Sequence, residues 1–172
     1  MKNLLFTVLA LSCASISVAQ SKAEVKSYIE DLITNYQSED YNYDVGYGNL
    51  FPDEFLDEFV PGYLGELEAL FIMERCNTNF NVCRRNFFDL KGVKRILIKD
   101  EQRYLTLRFT MKPGFASKEY VSTIDGWELE ESSTFPPMIL LSPNSVEQAK
   151  KLRKAFIYLS KQLGGNPEGD LF

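Results

Sequence analysis

A period-two pattern in the middle of the chain constrains the fold more than any other feature of this 172-residue sequence. Between residues 104 and 111, apolar residues occupy every second position, which is typical of a β-strand with one buried and one solvated face. A β-branched and apolar run precedes it at residues 93–98, and the polar tripeptide 100–102 separates the two. We therefore predict a tight antiparallel hairpin within residues 87–111, whose apolar face needs a covering element. The alternating apolar residues are Leu105, Leu107, Phe109 and Met111.

Two further segments have the three- and four-residue spacing of amphipathic helices. The first, residues 22–37, begins at a capping-box pair, Ser21 and Glu24. The second begins at a similar pair, Ser145 and Gln148, and ends before two glycines at positions 164 and 165. Apolar stripes of this kind usually face a core, so we expect both helices to cover the sheet.

Five other short segments are rich in β-branched, aromatic or aliphatic residues. With the central hairpin they give seven predicted strands between residue 67 and the last helix. Residues 38–50 are predicted as a loop or a frayed edge strand, and residues 52–60 as a short helix. The predicted fold is α+β, an antiparallel, mostly meander sheet capped by a C-terminal helix, with an additional N-terminal helix. The five segments are residues 67–75, 86–90, 120–124, 127–131 and 138–141.

Residues 1–19 have the pattern of a secretory signal peptide. Lys2 precedes a short apolar run at residues 4–11, and Ser17 and Ala19 are small residues at the positions that signal peptidase recognises. An alternative is a lipoprotein, with cleavage before Cys13 and lipid attachment there. In either case we expect an exported protein, periplasmic or secreted.

The expected mature chain, from Gln20, is acidic and has the size of one domain. Removal of residues 1–19 takes away one lysine and no acid, so the net charge changes from −5 to −6. An acidic chain is a poor candidate for binding nucleic acid, and no later apolar run approaches the roughly 18 residues that span a bilayer. We predict a single domain at residues 20–165 and a flexible tail at residues 166–172, with no nucleic-acid partner and no transmembrane segment.

Two cysteines follow the signal peptide, Cys76 and Cys83. In an oxidising compartment a disulfide that closes this short loop is the preferred interpretation, and two unpaired buried thiols are the alternative. Two cysteines supply only half of a tetrahedral zinc shell, and the chain contains no histidine. We therefore expect neither a metal centre nor a cofactor.

The absence of histidine also limits the catalytic chemistry. A serine or cysteine nucleophile would lack its usual imidazole base, so catalysis would depend on carboxylates, tyrosines or lysines. Paired carboxylates cleave glycosides, and several acids surround Trp127, whose ring can stack on a sugar. The alternation turns Trp127 toward the core, however, and leaves acids on a solvated strand face, the ordinary place for charged residues. The acids are Asp125, Glu128, Glu130 and Glu131.

The main basic group of this acidic chain is Arg75, Arg84 and Arg85, which flank the two cysteines. Guanidinium groups bind carboxylates and phosphates with a fork of donors, so these arginines are a candidate clamp for an anionic ligand. The alternative interpretation is that they are surface charges that balance neighbouring acids.

A tyrosine-rich segment, with Tyr41, Tyr43 and Tyr47, is a second candidate binding surface. Aromatic side chains supply much of the energy of recognition, so this segment with Phe51 is suited to a protein or glycan partner. The alternative is that these rings pack inward beneath the first helix.

The same segment also has a weak calcium-loop pattern. Asp40, Asn42 and Asp44 offer oxygen ligands at alternating positions, as calcium loops do. The pattern departs from the motif at Val45, where a glycine is needed, and at Phe51, where a glutamate closes the site. A polar loop or an edge strand is the alternative interpretation.

The predicted element order, seven strands followed by one amphipathic helix, resembles the pleckstrin-homology-like superfold. The resemblance implies a bent seven-stranded sheet closed by the terminal helix, with helix 22–37 added in front. In pleckstrin-homology-like domains the loop after the first strand often recognises the ligand. Here that loop is residues 76–83, with Arg75, Arg84 and Arg85 around it.

The chain also resembles small exported proteins of uncharacterised function from Gram-negative bacteria, through residues 17–20 and through residues 155–159 with the two glycines that follow. Neither resemblance implies catalytic residues. The leading hypothesis is therefore an exported, non-enzymatic binding or accessory domain of the cell envelope, with a protein or glycan partner there. The alternative is a histidine-free, carboxylate-dependent hydrolase that acts on envelope polysaccharide.

Overall fold

A computed structural model describes residues 21–48, 65–115, 117–123, 126–130 and 136–168. The predicted signal peptide, the predicted helix at residues 52–60 and the last four residues of the chain lie outside the described residues. None of the described helices is long and apolar enough to cross a membrane. In chain order the elements are α1 (Lys22–Tyr36), β1 (Tyr41–Tyr47), β2 (Leu70–Asn77), β3 (Val82–Asp89), β4 (Val93–Asp100), β5 (Leu105–Met111), β6 (Ser117–Thr123), β7 (Gly126–Leu129), β8 (Met138–Leu141) and α2 (Val146–Gln162).

The eight described strands form two antiparallel sheets. The first sheet has the order β1-β2-β3-β6-β7, and the second has the order β4-β5-β8. With α1 before the strands and α2 after them, this architecture confirms the predicted α+β class. The seven strands predicted from residue 67 onward correspond to β2–β8, and the segment predicted as a loop or edge strand forms β1 at the edge of the first sheet.

The central stretch, residues 87–111, is divided between the two sheets. The register pairs Ile96 with Phe109, which confirms the β4–β5 hairpin. Residues 87–89 belong to β3 of the first sheet instead. The chain changes sheets at the tight 3₁₀ turn Leu90–Gly92, because a turn of this kind redirects the backbone before the next strand begins.

The core lies between the sheets and beneath both helices. Ile29 of α1 is fully buried there. The ring of Phe156 in α2 meets Phe71 of β2 and Phe109 of β5 edge-to-face, with centroids 5.2 and 4.9 Å apart. Aromatic pairs in this geometry add to the free energy of burial, so α2 is joined to both sheets at one point. The alternating residues Leu105, Leu107 and Phe109 are buried, as the period-two pattern predicts.

The N-terminal ends of the two helices are held differently. Ser21 Oγ accepts the Glu24 N–H at 3.2 Å, and the Glu24 carboxylate accepts the Ser21 N–H at 2.6 Å, so the first predicted capping box is present. The second is absent, because the Ser145 hydroxyl donates to the Ser142 carbonyl of the preceding turn. The α2 helix begins at Val146 without a side-chain cap.

The C-terminal end of α2 is docked on the turn between the sheets. Ser160 is fully buried, and its hydroxyl donates to the Leu90 carbonyl at 2.7 Å. The Gly165 N–H in turn donates to the Ser160 carbonyl at 2.8 Å. Farther on, the Glu168 N–H donates to the Lys94 carbonyl at 2.6 Å, so the first residues of the segment predicted as a tail lie against β4.

Candidate functional site

The three arginines of the predicted basic group lie on two different faces of the first sheet. Arg75 of β2 pairs with Arg84 of β3, and Arg85 pairs with Glu74. Residues paired across an antiparallel ladder share a face, and neighbours along a strand do not. Arg75 and Arg84 therefore lie on the inner face, which carries Phe71 of the core, whereas Arg85 lies on the outer face. The prediction that all three arginines form one clamp is therefore wrong, because only Arg75 and Arg84 share a face.

The outer face holds a separate cluster. Arg85 forms an ion pair with Glu74, and its guanidinium lies 4.0 Å from the centroid of the Trp127 ring. The expectation that Trp127 faces the core is wrong, because the register of β7 places it on this face. The sulfurs of Cys76 and Cys83 are joined in a disulfide, as predicted. Glu74 and these cysteines are close enough to share a metal, but bonded sulfurs are not thiolate ligands.

On the inner face, beyond the core, charged side chains line a cleft of about 220 Å³. Arg84 contacts the carboxylates of both Glu119 and Glu130, at 3.3 Å in the first case. Asn86 donates its side-chain N–H to Glu119 at 3.0 Å, and Arg75 lies 3.9 Å from the same carboxylate. Two cations and two anions therefore balance each other at this site. Pro136 and Met138 complete the lining on the side of the second sheet.

Glu119 and Glu130 form the carboxylate pair that a glycosidase would need, because both contact the same Arg84 nitrogen. The sequence indicated Glu130 but not Glu119, which reaches the cleft only through the register of β6 beside β3. The pair lies well within the ~10 Å that acid and base can span in a glycosidase. The Arg84 guanidinium lies between them, however, so both carboxylates are engaged in ion pairs with it. Glu128 is exposed on the same strand segment.

The turn between β2 and β3, which we call the hairpin tip (residues 77–82), is held in a defined conformation. The side-chain oxygen of Asn77 accepts the backbone N–H groups of Asn79 and Phe80 at 2.9 and 3.0 Å. The Asn81 N–H donates to the Asn77 carbonyl at 3.0 Å, and Asn81 has a positive φ of 52°, which asparagine tolerates better than most residues. Immediately outside the tip, the disulfide joins the two strands. Phe80 is nevertheless 77% exposed.

The hairpin tip is also fastened to the first strand. The Thr78 N–H donates to the Asp40 carbonyl at 3.0 Å, and the Asn79 side chain donates to the Asp40 carboxylate at 3.3 Å. Between the tip and β1 is a second cavity of about 260 Å³. It adjoins the charged cleft, since both are lined by Arg75 and Arg84. The other lining residues are Tyr41, Asn77, Phe80 and Val82.

The three tyrosines of β1 share the inner face but differ in burial. Tyr41 is half-buried, and the Arg75 guanidinium lies 5.5 Å from its ring centroid. The Tyr43 hydroxyl accepts the Leu140 N–H of β8 at 2.8 Å, and burial raises the pKa of Tyr43 to about 12 although Arg75 opposes this. Tyr47 is fully buried in the core. Only Tyr41 can therefore contribute to an aromatic surface for a partner.

The calcium-loop alternative does not agree with the conformation of this segment. Asn42 and Asp44 belong to the extended strand β1, and Asp40 lies in the turn before it. Alternate side chains of a strand are about 6.6 Å apart, whereas calcium needs oxygen ligands at about 2.3–2.6 Å from one point. The Asp40 carboxylate is instead bonded to the Asn79 side chain.

These features define an α+β domain with an open charged cleft beside a cross-linked hairpin tip. Comparisons with protein-family models, with curated proteins and with solved structures gave no match to this chain. A function for this chain must therefore be inferred from the geometry of the described residues.

Proposed function

We propose that this chain is an exported, non-enzymatic binding domain of the cell envelope that recognises a protein partner through the hairpin tip. The observation that carries the proposal is Phe80, which is 77% exposed on a turn held by a disulfide and by hydrogen bonds. Exposed aromatic rings on ordered turns are typical anchors, because they bury much apolar area with little loss of conformational freedom. Val82 and Tyr41 extend the apolar area around Phe80.

The charged cleft gives this surface a polar border. Arg84 is about one-third exposed, at 36% of its side chain, and so is Glu130, at 33%. A partner that places Phe80 in an apolar pocket would bring its own polar groups to these two side chains. Such an arrangement, with an aromatic centre and charges at the margin, is usual in protein interfaces.

Export is supported by the signal-peptide pattern of residues 1–19 and by the disulfide between Cys76 and Cys83. Disulfides persist in oxidising compartments and are rare in reducing ones. We place the protein in the periplasm or outside the cell on these two grounds.

We also retain the resemblance to the pleckstrin-homology-like superfold as a proposal. Two antiparallel sheets followed by a terminal helix agree with it, and β2–β8 supply the seven strands. The chain differs by the addition of α1 and β1. In that superfold the loop after the first strand often binds the ligand, and here this loop is the hairpin tip.

The proposal is tested by site-specific photo-crosslinking in an envelope extract. A benzophenone side chain replaces Phe80 in one protein and Leu97 in the control, since Leu97 is an exposed apolar residue of β4, 37% exposed, on the other sheet. We expect a discrete crosslinked species from position 80 only. Equal crosslinking at both positions, or none at position 80, contradicts the proposal.

Affinity for the captured partner gives a second readout. Loss of a central aromatic anchor costs about 2 kcal/mol or more, so Phe80→Ser is expected to weaken binding roughly thirtyfold. Leu97→Ser serves as the matched control and is expected to bind as the wild type does. Urea unfolding of both variants checks that their folded states are equally stable.

The competing function, hydrolysis of envelope polysaccharide, is supported by the proximity of Glu119 and Glu130. The ion pairs with Arg84 argue against it, because the guanidinium engages both carboxylates that a substrate would need to reach. Release of reducing sugars from purified peptidoglycan distinguishes the two functions. Activity that disappears in Glu119→Gln would replace the binding proposal with the enzymatic one.

A further inference from the structure

A third cavity, of about 320 Å³, lies between α1 and β1, at the end of β1 that is farther from the hairpin tip. Its volume falls at the lower end of the range of small-molecule sites, about 300–1,000 Å³. Its lining contains two lysines, two glutamates and one tyrosine, all within reach of one small ligand. These residues are Lys22, Lys26, Glu30, Glu68 and Tyr47.

The Tyr47 hydroxyl is the most unusual group in this cavity. The residue is fully buried, yet its hydroxyl has no hydrogen-bond partner among the described residues. A buried polar group without a partner is unfavourable, and native proteins contain few of them. Burial raises the pKa of Tyr47, so the hydroxyl keeps its proton and is available as a donor. This hydroxyl is therefore left unsatisfied by the part of the chain that the structure describes.

Lys26 stands beside it as a second donor. Its Nζ lies 4.2 Å from the centroid of the Tyr47 ring and donates to the Glu68 carbonyl at 3.3 Å. Two of its three N–H groups thus remain for other acceptors. Burial lowers the pKa of Lys26, and the nearby Glu68 carboxylate opposes this shift. The Glu68 carboxylate itself is occupied by Lys22, at 2.9 Å.

Glu30 provides the opposite charge one helical turn farther along α1. Burial raises the pKa of Glu30, and the nearby Asp31 carboxylate adds to this effect. Because Lys26 is held over the tyrosine ring, the two opposite charges lie near each other in the cavity without forming an ion pair within 4 Å. Each charge is partly desolvated, and the two stabilise each other only through space.

We infer that this cavity binds a small zwitterion of the α-amino acid class. The ligand carboxylate would accept hydrogen bonds from the Tyr47 hydroxyl and the Lys26 ammonium, and the ligand ammonium would contact Glu30. A simple anion would meet the repulsion of Glu30 and Asp31, and a simple cation would meet that of Lys26. The cavity shares none of its lining residues with the hairpin tip or the charged cleft, so the inference is independent of the proposed function.

Calorimetric titration with glycine, L-alanine, acetate and methylamine tests this inference directly. We expect glycine or L-alanine to bind with a measurable heat, and acetate and methylamine to bind at least tenfold more weakly. No heat from either amino acid up to about 10 mM, a concentration that reveals even weak sites, overturns the inference. Acetate binding as tightly as glycine overturns it as well, because the ammonium would then have no role.

Two matched tyrosine variants separate binding from folding. Tyr47→Phe removes a hydroxyl that has no partner among the described residues, so we expect unchanged or higher stability and at least a tenfold loss of amino acid affinity. Tyr43→Phe removes a hydroxyl that accepts a hydrogen bond from the Leu140 N–H of β8, so we expect lower stability and unchanged affinity. Wild-type affinity in Tyr47→Phe overturns the inference.

Discussion

Gly165, just after the end of α2, is a position at which one added methyl group is expected to destabilise the fold. A Cβ atom there would lie 2.3 Å from the Ser160 Oγ, 2.9 Å from the Ser160 carbonyl oxygen and 3.2 Å from the Lys91 Cα. The first distance is far below van der Waals contact, and the second involves backbone that cannot easily move. Gly165 does not have a positive φ, so space and not backbone strain determines the effect of Gly165→Ala.

The magnitude follows from three contributions. Overpacking a close contact costs about 1–3 kcal/mol. Displacement of the Ser160 hydroxyl would also weaken its bond to the Leu90 carbonyl, at about 1 kcal/mol. Replacing glycine restricts the unfolded chain and returns about 0.4–1 kcal/mol. We therefore expect Gly165→Ala to lower the free energy of unfolding by about 2 kcal/mol, measured by urea denaturation with an unchanged m-value.

A double-mutant cycle with Ser160→Ala identifies the cause. The single variant Ser160→Ala loses one hydrogen bond but gains helix propensity, so we expect a cost of about 0.5 kcal/mol. In the double variant the closest contact is gone, and the combined cost is expected to be about 1 kcal/mol less than the sum. Gly164→Ala is the control, because its φ of 88° strains alanine while no other atom lies within 4 Å. Additivity within about 0.3 kcal/mol for the Gly165 cycle would refute the reasoning.

Three other outcomes are expected, all measured by urea unfolding. Replacing Cys76 and Cys83 with serine should cost about 2 kcal/mol, and reductant should reproduce the loss in the wild type but not in the variant. Burial raises the pKa of the Glu30 carboxyl above 4.5, so its stabilising contribution is present at low pH and is lost as the pH rises through the folded pKa. The Glu30→Gln variant should therefore be more stable than the wild type near pH 7, and this advantage should vanish near pH 4. Phe156→Ala should cost about 3–5 kcal/mol, whereas Val146→Ala, at an exposed position of the same helix, should change stability by less than about 0.5 kcal/mol.

Local periodicity was sufficient to predict the elements, because burial on one face leaves a period in the sequence. The alternation around Leu107 and the stripe around Ile29 both predicted buried faces that the structure confirms. The assignment of strands to sheets was not predictable in this way, since β6 pairs with β3 and β8 with β5 across long connections. Thr106 shows the limit: it was predicted on the solvated face, but Leu140 of β8 pairs opposite it and it is fully buried.

The candidate sites show the same division between local and long-range information. That Arg84 and Arg85 point to opposite faces follows from strand alternation once β3 is known to include them, whereas the predicted strand began at residue 86. That Glu119 joins Arg84 does not follow from any local pattern, because it requires the register between β3 and β6. The lack of a partner for the Tyr47 hydroxyl among the described residues likewise could not be predicted from the sequence, because it depends on the positions of side chains in three dimensions.

The three tyrosines of β1 show how position along one strand separates binding from stability. All three point to the same face, because they are separated by two and then four residues, and no local pattern distinguishes them. Tyr41 lies at the open end, where its ring borders the cavity beside the hairpin tip. Tyr43 lies between the sheets, and its hydroxyl accepts a hydrogen bond from the Leu140 N–H. This bond joins the first sheet to the second. Tyr47 is the most deeply buried of the three; it lines the cavity beside α1, and its hydroxyl has no hydrogen-bond partner within the described ranges. The Tyr43 hydroxyl has a hydrogen-bond partner, whereas the Tyr47 hydroxyl, four residues along the same strand, has none among the described residues. If burial and hydrogen bonding alone decide the role of each ring, removal of the hydroxyl must affect stability at Tyr43 and ligand binding at Tyr47.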